Sequence, residues 1–138
     1  IDSIESIQTL WKGCGAHTSL MTPYQHDEML AMTSHLPHIL AFTFMNHMLS
    51  NSSEKNEDTL LNFAGSGFRD FTRIASSSPE MWKDICLANR RLLLQQIRVY
   101  QNELARMNEI LEDGDGAALE KFFLNAQITR GKFLKDKH

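Results

Sequence analysis

The sequence predicts an all-α domain, and three observations carry that reading. Apolar residues recur at helical spacing in nearly every segment, beginning with Ile4, Ile7, Leu10 and Trp11. Two pairs, Thr22-Pro23 and Ser78-Pro79, have the sequence signature of helix starts, a hydroxyl at the N-cap and proline at the first helical position. Only residues 16–21 read as a strand, and a single strand has no partner for its backbone. The length of 138 residues suits one domain, and 42% apolar with 22% charged residues is ordinary for a globular chain.

Composition also excludes several classes of function. A net charge of −3 gives no electrostatic footprint for nucleic acid or an anionic membrane. No apolar run reaches the ~20 residues of a membrane span, and no signal peptide is visible. Cys14 and Cys86 are too few for a disulfide framework and form no CxxC, so the default compartment is a reducing cytoplasm. The first residue is Ile1, already inside a helical pattern, and the chain reads as the C-terminal piece of a larger protein.

Taken in order, residues 3–12 form an amphipathic helix ended by Gly13 and Gly15. Residues 16–21 are either a short strand pairing outside the chain or a loop. Thr22-Pro23 opens a helix carrying His26 and Asp27, and Pro37 predicts a kink or break near residues 34–37, because it cannot bond the carbonyl of Thr33. The next helix, about 37–50, is apolar nearly all round (Ile39, Leu40, Phe42, Phe44, Met45, Leu49) and is expected to be central and buried on all sides. Residues 50–58 are a solvated loop, leading into a short helix around 59–63. Gly65-Ser66-Gly67 breaks the chain before a helix over 68–75.

Ser78-Pro79 starts a helix with no breaker before Gly114, about 79–112, which would extend about 50 Å at ~1.5 Å per residue. Along it Leu93, Ile97, Tyr100, Leu104, Met107 and Leu111 follow a 4-3-4-3-4 spacing, a heptad seam. Either a second copy of the chain covers that seam, or the final helix, about 117–133, folds back over it. The length of the helix favours a dimer.

The polar residues concentrate in one block: His26-Asp27, then Ser34-His35-Leu36-Pro37-His38, holding three of the six histidines. If 24–38 were one helix, Asp27, Ser34 and His38 would share a face within about 20°. A single histidine there is most simply a satisfied core or capping group. The cluster fits three chemistries. A metal could be held by His35 and His38, one turn apart, with His26 and Asp27, although Pro37 lies between the two ligands. The HD-type metal phosphohydrolases need a histidine farther upstream than His17. Ser34 or Cys14 could serve as a nucleophile, but nothing resembles a nucleophile elbow. The third chemistry is substrate binding, with arginine supplying charge. Arg69 and Arg73 share a helix face after Gly65-Ser66-Gly67, where backbone can approach a ligand, and arginine suits bidentate carboxylate recognition. An ordinary surface pair, with Asp70 bridging to Arg73, explains them equally well. Neither Gly13-Cys14-Gly15 nor Gly65-Ser66-Gly67 makes a dinucleotide fingerprint.

Together the two blocks resemble the C-terminal domain of the prephenate, arogenate and cyclohexadienyl dehydrogenases. The first is Met21-Thr22-Pro23 through His38, and the second is Gly65-Ser66-Gly67-Phe68-Arg69-Asp70-Phe71-Thr72-Arg73-Ile74-Ala75 with Pro79, Met81-Trp82 and Asp84-Ile85. The resemblance covers roughly residues 4–110. It implies a role in tyrosine synthesis, the NAD- or NADP-dependent oxidative decarboxylation of prephenate to 4-hydroxyphenylpyruvate. It also implies an N-terminal Rossmann domain outside this chain, which binds the cofactor and carries the histidine acting on the substrate hydroxyl. Residues 1–21 would be the junction with that domain, and 22–138 the dimerisation and substrate domain. The orphan strand would extend the missing sheet.

By the same resemblance, Arg73 binds a substrate carboxylate, and His38, Ser34, His35 and His26 line the pocket. Ser66 stands where many relatives have glycine, Trp82 packs at the wall, and Asp27 and Arg69 form an ion pair at the pocket entrance, across the subunit interface. Homodimerisation, prephenate or arogenate as substrate, tyrosine as an inhibitor, no metal and no catalytic residue in this chain complete the expectation. The competing functions are a helical dimerisation or scaffold module without a substrate and, behind it, a metal-dependent hydrolase.

Overall fold

The computed structural model describes residues 2–51 and 62–135. Seven α-helices occur among them: α1 (Asp2–Gly13), α2 (Pro23–Leu30), α3 (Leu36–Asn51), α4 (Ser66–Thr72), α5 (Pro79–Ala88), α6 (Arg90–Asp113) and α7 (Gly116–Lys135). A π-helical turn, Ala31–His35, joins α2 to α3, and a 3-10 turn, Arg73–Ser76, follows α4. No strand occurs among the described residues, and residues 16–22 are irregular. The expected loop at 50–58 and short helix at 59–63 fall largely on residues 52–61, outside the described residues. The chain divides into two compact units, Ile1–Leu92 and Leu93–His138, with the boundary inside α6.

In the first unit the helix starts are set locally. Thr22 accepts a hydrogen bond from the Gln25 N–H at 3.2 Å, and the Gln25 side chain accepts one from the Thr22 N–H at 2.9 Å, a capping box with Pro23 at the first position. Ser78 does the same work for α5, accepting from the Met81 N–H at 3.3 Å.

Pro37 does not break the helix. The preceding turn widens instead, with the Leu36 N–H donating to the Ala31 carbonyl five residues back. A π-turn inserts one residue, which lets the helical path continue past a ring that would otherwise meet the Thr33 carbonyl. The Thr33 hydroxyl bonds back to the Met29 carbonyl at 2.8 Å.

The helix predicted over 79–112 is two helices. Asn89 stands between them with φ −104° and ψ 26°, outside helical geometry. Its side chain is buried, and its amide bonds to groups on α2 and the π-turn.

The core of this unit is small and sits where α3 begins. Ala31, Leu36, Ala41, Trp82 and Leu92 are buried. The start of α4 and the 3-10 turn pack on α3, with Phe44 against Phe68 and Phe71 at ring separations of 6.0 and 5.6 Å. The expectation that α3 is buried on all sides is corrected: only its first half is enclosed, and Met45 and Leu49 stay exposed. An all-apolar helix needs cover on every face, and the described residues supply it only at one end.

In the second unit α6 and α7 are joined through Gly114, whose φ of +64° is the left-handed conformation that glycine adopts without strain. Asp115 caps α7 by accepting from the Ala118 N–H at 3.0 Å. Arg106 lies over the Phe122 ring, 5.6 Å from its centre. The heptad seam is only partly covered: Leu93 is buried and Ile97 and Met107 half-buried, while Leu104 is 54% and Leu111 59% exposed. Phe123, Ile128 and Phe133 are exposed as well.

Candidate functional site

The polar block folds around one tryptophan. His38, in the first turn of α3, stacks on Trp82 of α5 with ring centres 3.9 Å apart and planes 23° from parallel. His35, the last residue of the π-turn, meets the same indole edge-on at 6.0 Å. Trp82 is 7% exposed, and its Nε1 is buried without a hydrogen-bond partner among the described residues. Such a group costs ~1–3 kcal/mol when left unpaired.

The two histidines are held in opposite tautomers. His38 Nδ1 lies 2.9 Å from the Ser34 carbonyl, which can only accept. Nδ1 therefore carries the proton, and Nε2 is the free acceptor of the neutral ring. His35 Nδ1 lies 3.2 Å from the Asn89 amide nitrogen. That nitrogen also donates to the Asp27 carbonyl at 2.7 Å, which fixes the amide with its NH2 facing both groups. His35 Nδ1 must then accept, and its proton sits on Nε2.

Burial is the main influence pushing the His35 imidazole below its ordinary value. The Asp27 carboxylate opposes this, and His26 and His38 add to it.

The one-face reading of Asp27, Ser34 and His38 is corrected by the π-turn. An inserted residue rotates the helix beyond it by about 100°. It is His35, rather than Ser34, that is linked to the Asp27 peptide, through Asn89. Ser34 contributes its carbonyl to His38, and no nucleophile–base pair forms from its hydroxyl among the described residues. His26 and Asp27 pair with each other on the exposed face of α2, Nδ1 to Oδ1 at 3.0 Å.

Arg73 lies in the 3-10 turn that packs on α3, the helix bearing His38, and its side chain is exposed. Arg69 and Ser66 are exposed on α4. Among the described residues neither arginine has an ion-pair partner, and the Asp70–Arg73 bridge does not form. The structure thus gathers His35, His38, Ser34 and Trp82 together and leaves Arg69, Arg73 and Ser66 on neighbouring elements, with no hydrogen bond or ion pair to that cluster among the described residues.

Asn89 is a site residue that sequence reasoning misses. The available signal is an asparagine inside an otherwise unbroken helical run, a residue whose side chain competes with helix hydrogen bonds. Among the described residues no group of three or more His, Cys, Asp and Glu side chains could hold a metal ion.

The glycines do not form a dinucleotide cradle. No strand precedes either pair among the described residues, and a Cβ at Gly13, Gly15, Gly65 or Gly67 would meet nothing within 4 Å. Open grooves lie elsewhere among the described residues. One of about 410 Å³ runs between α1 and residues 16–20, lined by Ile4, Ile7, Trp11 and Leu20. Another, of about 450 Å³, lies between α6 and α7 beside Arg106, Phe122 and Arg130.

The fold and this cluster define an all-helical domain with a polar cluster built from a π-turn, α3 and α5. Comparison with known proteins places it further. The family described as "Prephenate dehydrogenase, dimerization domain" matches residues 22–125, and the chain belongs to that family.

The chain is 36% identical over 128 residues to the prephenate dehydrogenase of Bacillus subtilis, covering 93% of this chain and 34% of that protein. It is 33% identical over 128 residues to the cyclohexadienyl dehydrogenase of Zymomonas mobilis, covering 93% of this chain and 43% of that protein. The crystal structure of prephenate dehydrogenase from A. aeolicus in complex with hydroxyphenyl propionate and NAD+ superposes with a TM-score of 0.86 at 29% identity, over 94% of this chain and 45% of that one. The chain thus spans between a third and a half of the length of these relatives. No helix among the described residues is long and apolar enough to cross a membrane.

Proposed function

We propose that this chain is the dimerisation and substrate-binding half of a cytoplasmic, NAD- or NADP-dependent prephenate or arogenate dehydrogenase of tyrosine synthesis. The observation that carries the reading is the His35–His38–Trp82 cluster, which lies wholly within the span matched by the family. In this reading residues 22–138 supply the dimer and one wall of the pocket, and a preceding nucleotide-binding domain holds the cofactor. Relatives more than twice as long as this chain support that division. Residues 1–21 form the junction, and the apolar groove along α1 is the face that domain covers.

At the pocket wall His35 offers an Nε2–H donor and His38 an Nε2 acceptor, the pair needed to bind a hydroxyl in one orientation. Arg73 is the fixed cation that receives a substrate carboxylate, because a guanidinium stays charged and bonds both oxygens. Ser34, His26 and Ser66 line the remainder. Asp27 and Arg69 meet across the dimer at the entrance, each retaining an exposed face for it. The exposed seam of Leu104 and Leu111 supports a homodimer, since monomers rarely leave such stripes uncovered. Tyrosine, sharing the product's ring, is the expected inhibitor.

The test is oxidation of prephenate by the full-length protein and by its Arg73→Ala variant. Loss of the carboxylate partner should lower kcat/KM at least tenfold, or ~1.4 kcal/mol. A near-wild-type value removes Arg73 from the site, and a wild type inert toward both prephenate and arogenate overturns the function.

A further inference from the structure

Asn89 bonds to His35 of the cluster and also interrupts a helix. Its amide is buried, its backbone leaves helical geometry, and α5 and α6 meet at it. A buried amide is tolerated only when its hydrogen bonds are made. Here one N–H goes to the Asp27 carbonyl and the other to His35 Nδ1, at 2.7 and 3.2 Å. The Asp27 carbonyl cannot donate, so the amide cannot turn over without placing its oxygen against that carbonyl. A backbone group 62 residues away thus sets the amide, and the amide sets the imidazole.

We infer that Asn89 is a positioning residue for the substrate pocket, holding His35 as the Nε2–H tautomer so that it presents a donor to an anionic substrate. The role in the pocket rests on the function proposed above; the tautomer does not.

The helix break has its cause in the same contacts. A continuous α5–α6 helix would leave Asn89 in helical geometry, with its amide carried away from Asp27 and His35. The cost of one interrupted turn is offset by two satisfied bonds in a buried place. The charged and titratable groups that His35 senses are Asp27 and His26 on α2 and His38 on α3. Trp82 and Asn89 face it from the other side as neutral groups.

The decisive variant is Asn89→Asp in the full-length enzyme, because it keeps the shape and replaces the donor with an acceptor toward His35, giving up the bond to the Asp27 carbonyl. The carboxylate draws the proton to His35 Nδ1. When the ring is neutral, Nε2 is then an acceptor and the donor to substrate is gone. When the ring is protonated, both nitrogens carry protons and the donor returns.

Nitrogen-15 spectra of the wild-type imidazoles should show His35 protonated at Nε2 and bare at Nδ1, with the pattern reversed in Asn89→Asp at alkaline pH. At that pH kcat/KM of the variant for prephenate should lie at least tenfold below wild type, ~1.4 kcal/mol. The deficit should shrink as pH falls through the variant's His35 titration. A variant that lost only packing would show a deficit independent of pH.

A wild-type His35 carrying its proton on Nδ1 overturns the inference without any variant. So does a reversed tautomer with unchanged kcat/KM. A wild-type enzyme inert toward prephenate overturns the pocket reading, while the imidazole spectrum still decides the tautomer.

Discussion

Trp82 offers a measurement in which two effects of opposite sign can be separated. Truncation to alanine removes nearly a whole buried indole, since only 7% of the residue is exposed. Loss of a buried tryptophan costs ~3–5 kcal/mol through lost transfer energy and the cavity left behind. It also removes the surface on which His38 stacks at 3.9 Å.

Trp82→Phe is different. Phenylalanine buries ~50 Å² less apolar surface, a loss of ~1.3 kcal/mol at ~25 cal/mol per Å². It also deletes the buried Nε1–H, which has no partner among the described residues and costs ~1–3 kcal/mol as it stands. The two contributions nearly cancel. Urea denaturation at fixed protein concentration should place Trp82→Phe within ~1.5 kcal/mol of wild type, with Trp82→Ala at least ~3 kcal/mol below it. The concentration must be held because a dimer's stability depends on it. Equal losses in the two variants would refute the reasoning, and would mean that the indole N–H makes a bond of its own.

Two further expectations concern charge and assembly. His35 has its imidazole pushed down by burial, so the folded state disfavours its protonated form. Its contribution to stability is complete above the ordinary value of ~6.5 and is lost as pH falls through the lower folded value. Wild type should therefore lose more stability between about pH 7.5 and about pH 5.5 (both set by that ~6.5) than His35→Gln does, and parallel losses would count against a buried neutral ring. Placing glutamate at both Leu104 and Leu111 should convert the full protein to monomer in sedimentation, because each side chain is more than half exposed on the seam assigned to the dimer. A persistent dimer would move the interface elsewhere.

Much of the fold is legible in the sequence because it is local. The Thr22-Pro23 and Ser78-Pro79 starts use residues three apart or fewer, and both form as expected. The apolar run of α3 and the turn at Gly114 are equally readable. The His26–His38 block stands out because ionisable residues beside an apolar helix need partners.

Pro37 predicts a break because its ring and missing N–H forbid a regular turn. Whether a chain answers with a kink or with a π-turn depends on what packs around it. The widened turn moves His35 to the Asp27 side, and that alters which polar residues belong together.

Asn89 marks the boundary between the two kinds of information. By itself the sequence determined the helical class, most helix starts, the block of histidines and the family resemblance, since each depends on spacing or chemistry within a few residues. The break in the long helix was decided by tertiary structure alone. An asparagine between Ala88 and Arg90 has only a weak local tendency to end a helix; here a carbonyl at Asp27 and a ring nitrogen at His35, 62 and 54 positions away in sequence, satisfy its buried amide. The same two contacts decide which nitrogen of His35 carries the proton, a property that only the folded arrangement supplies.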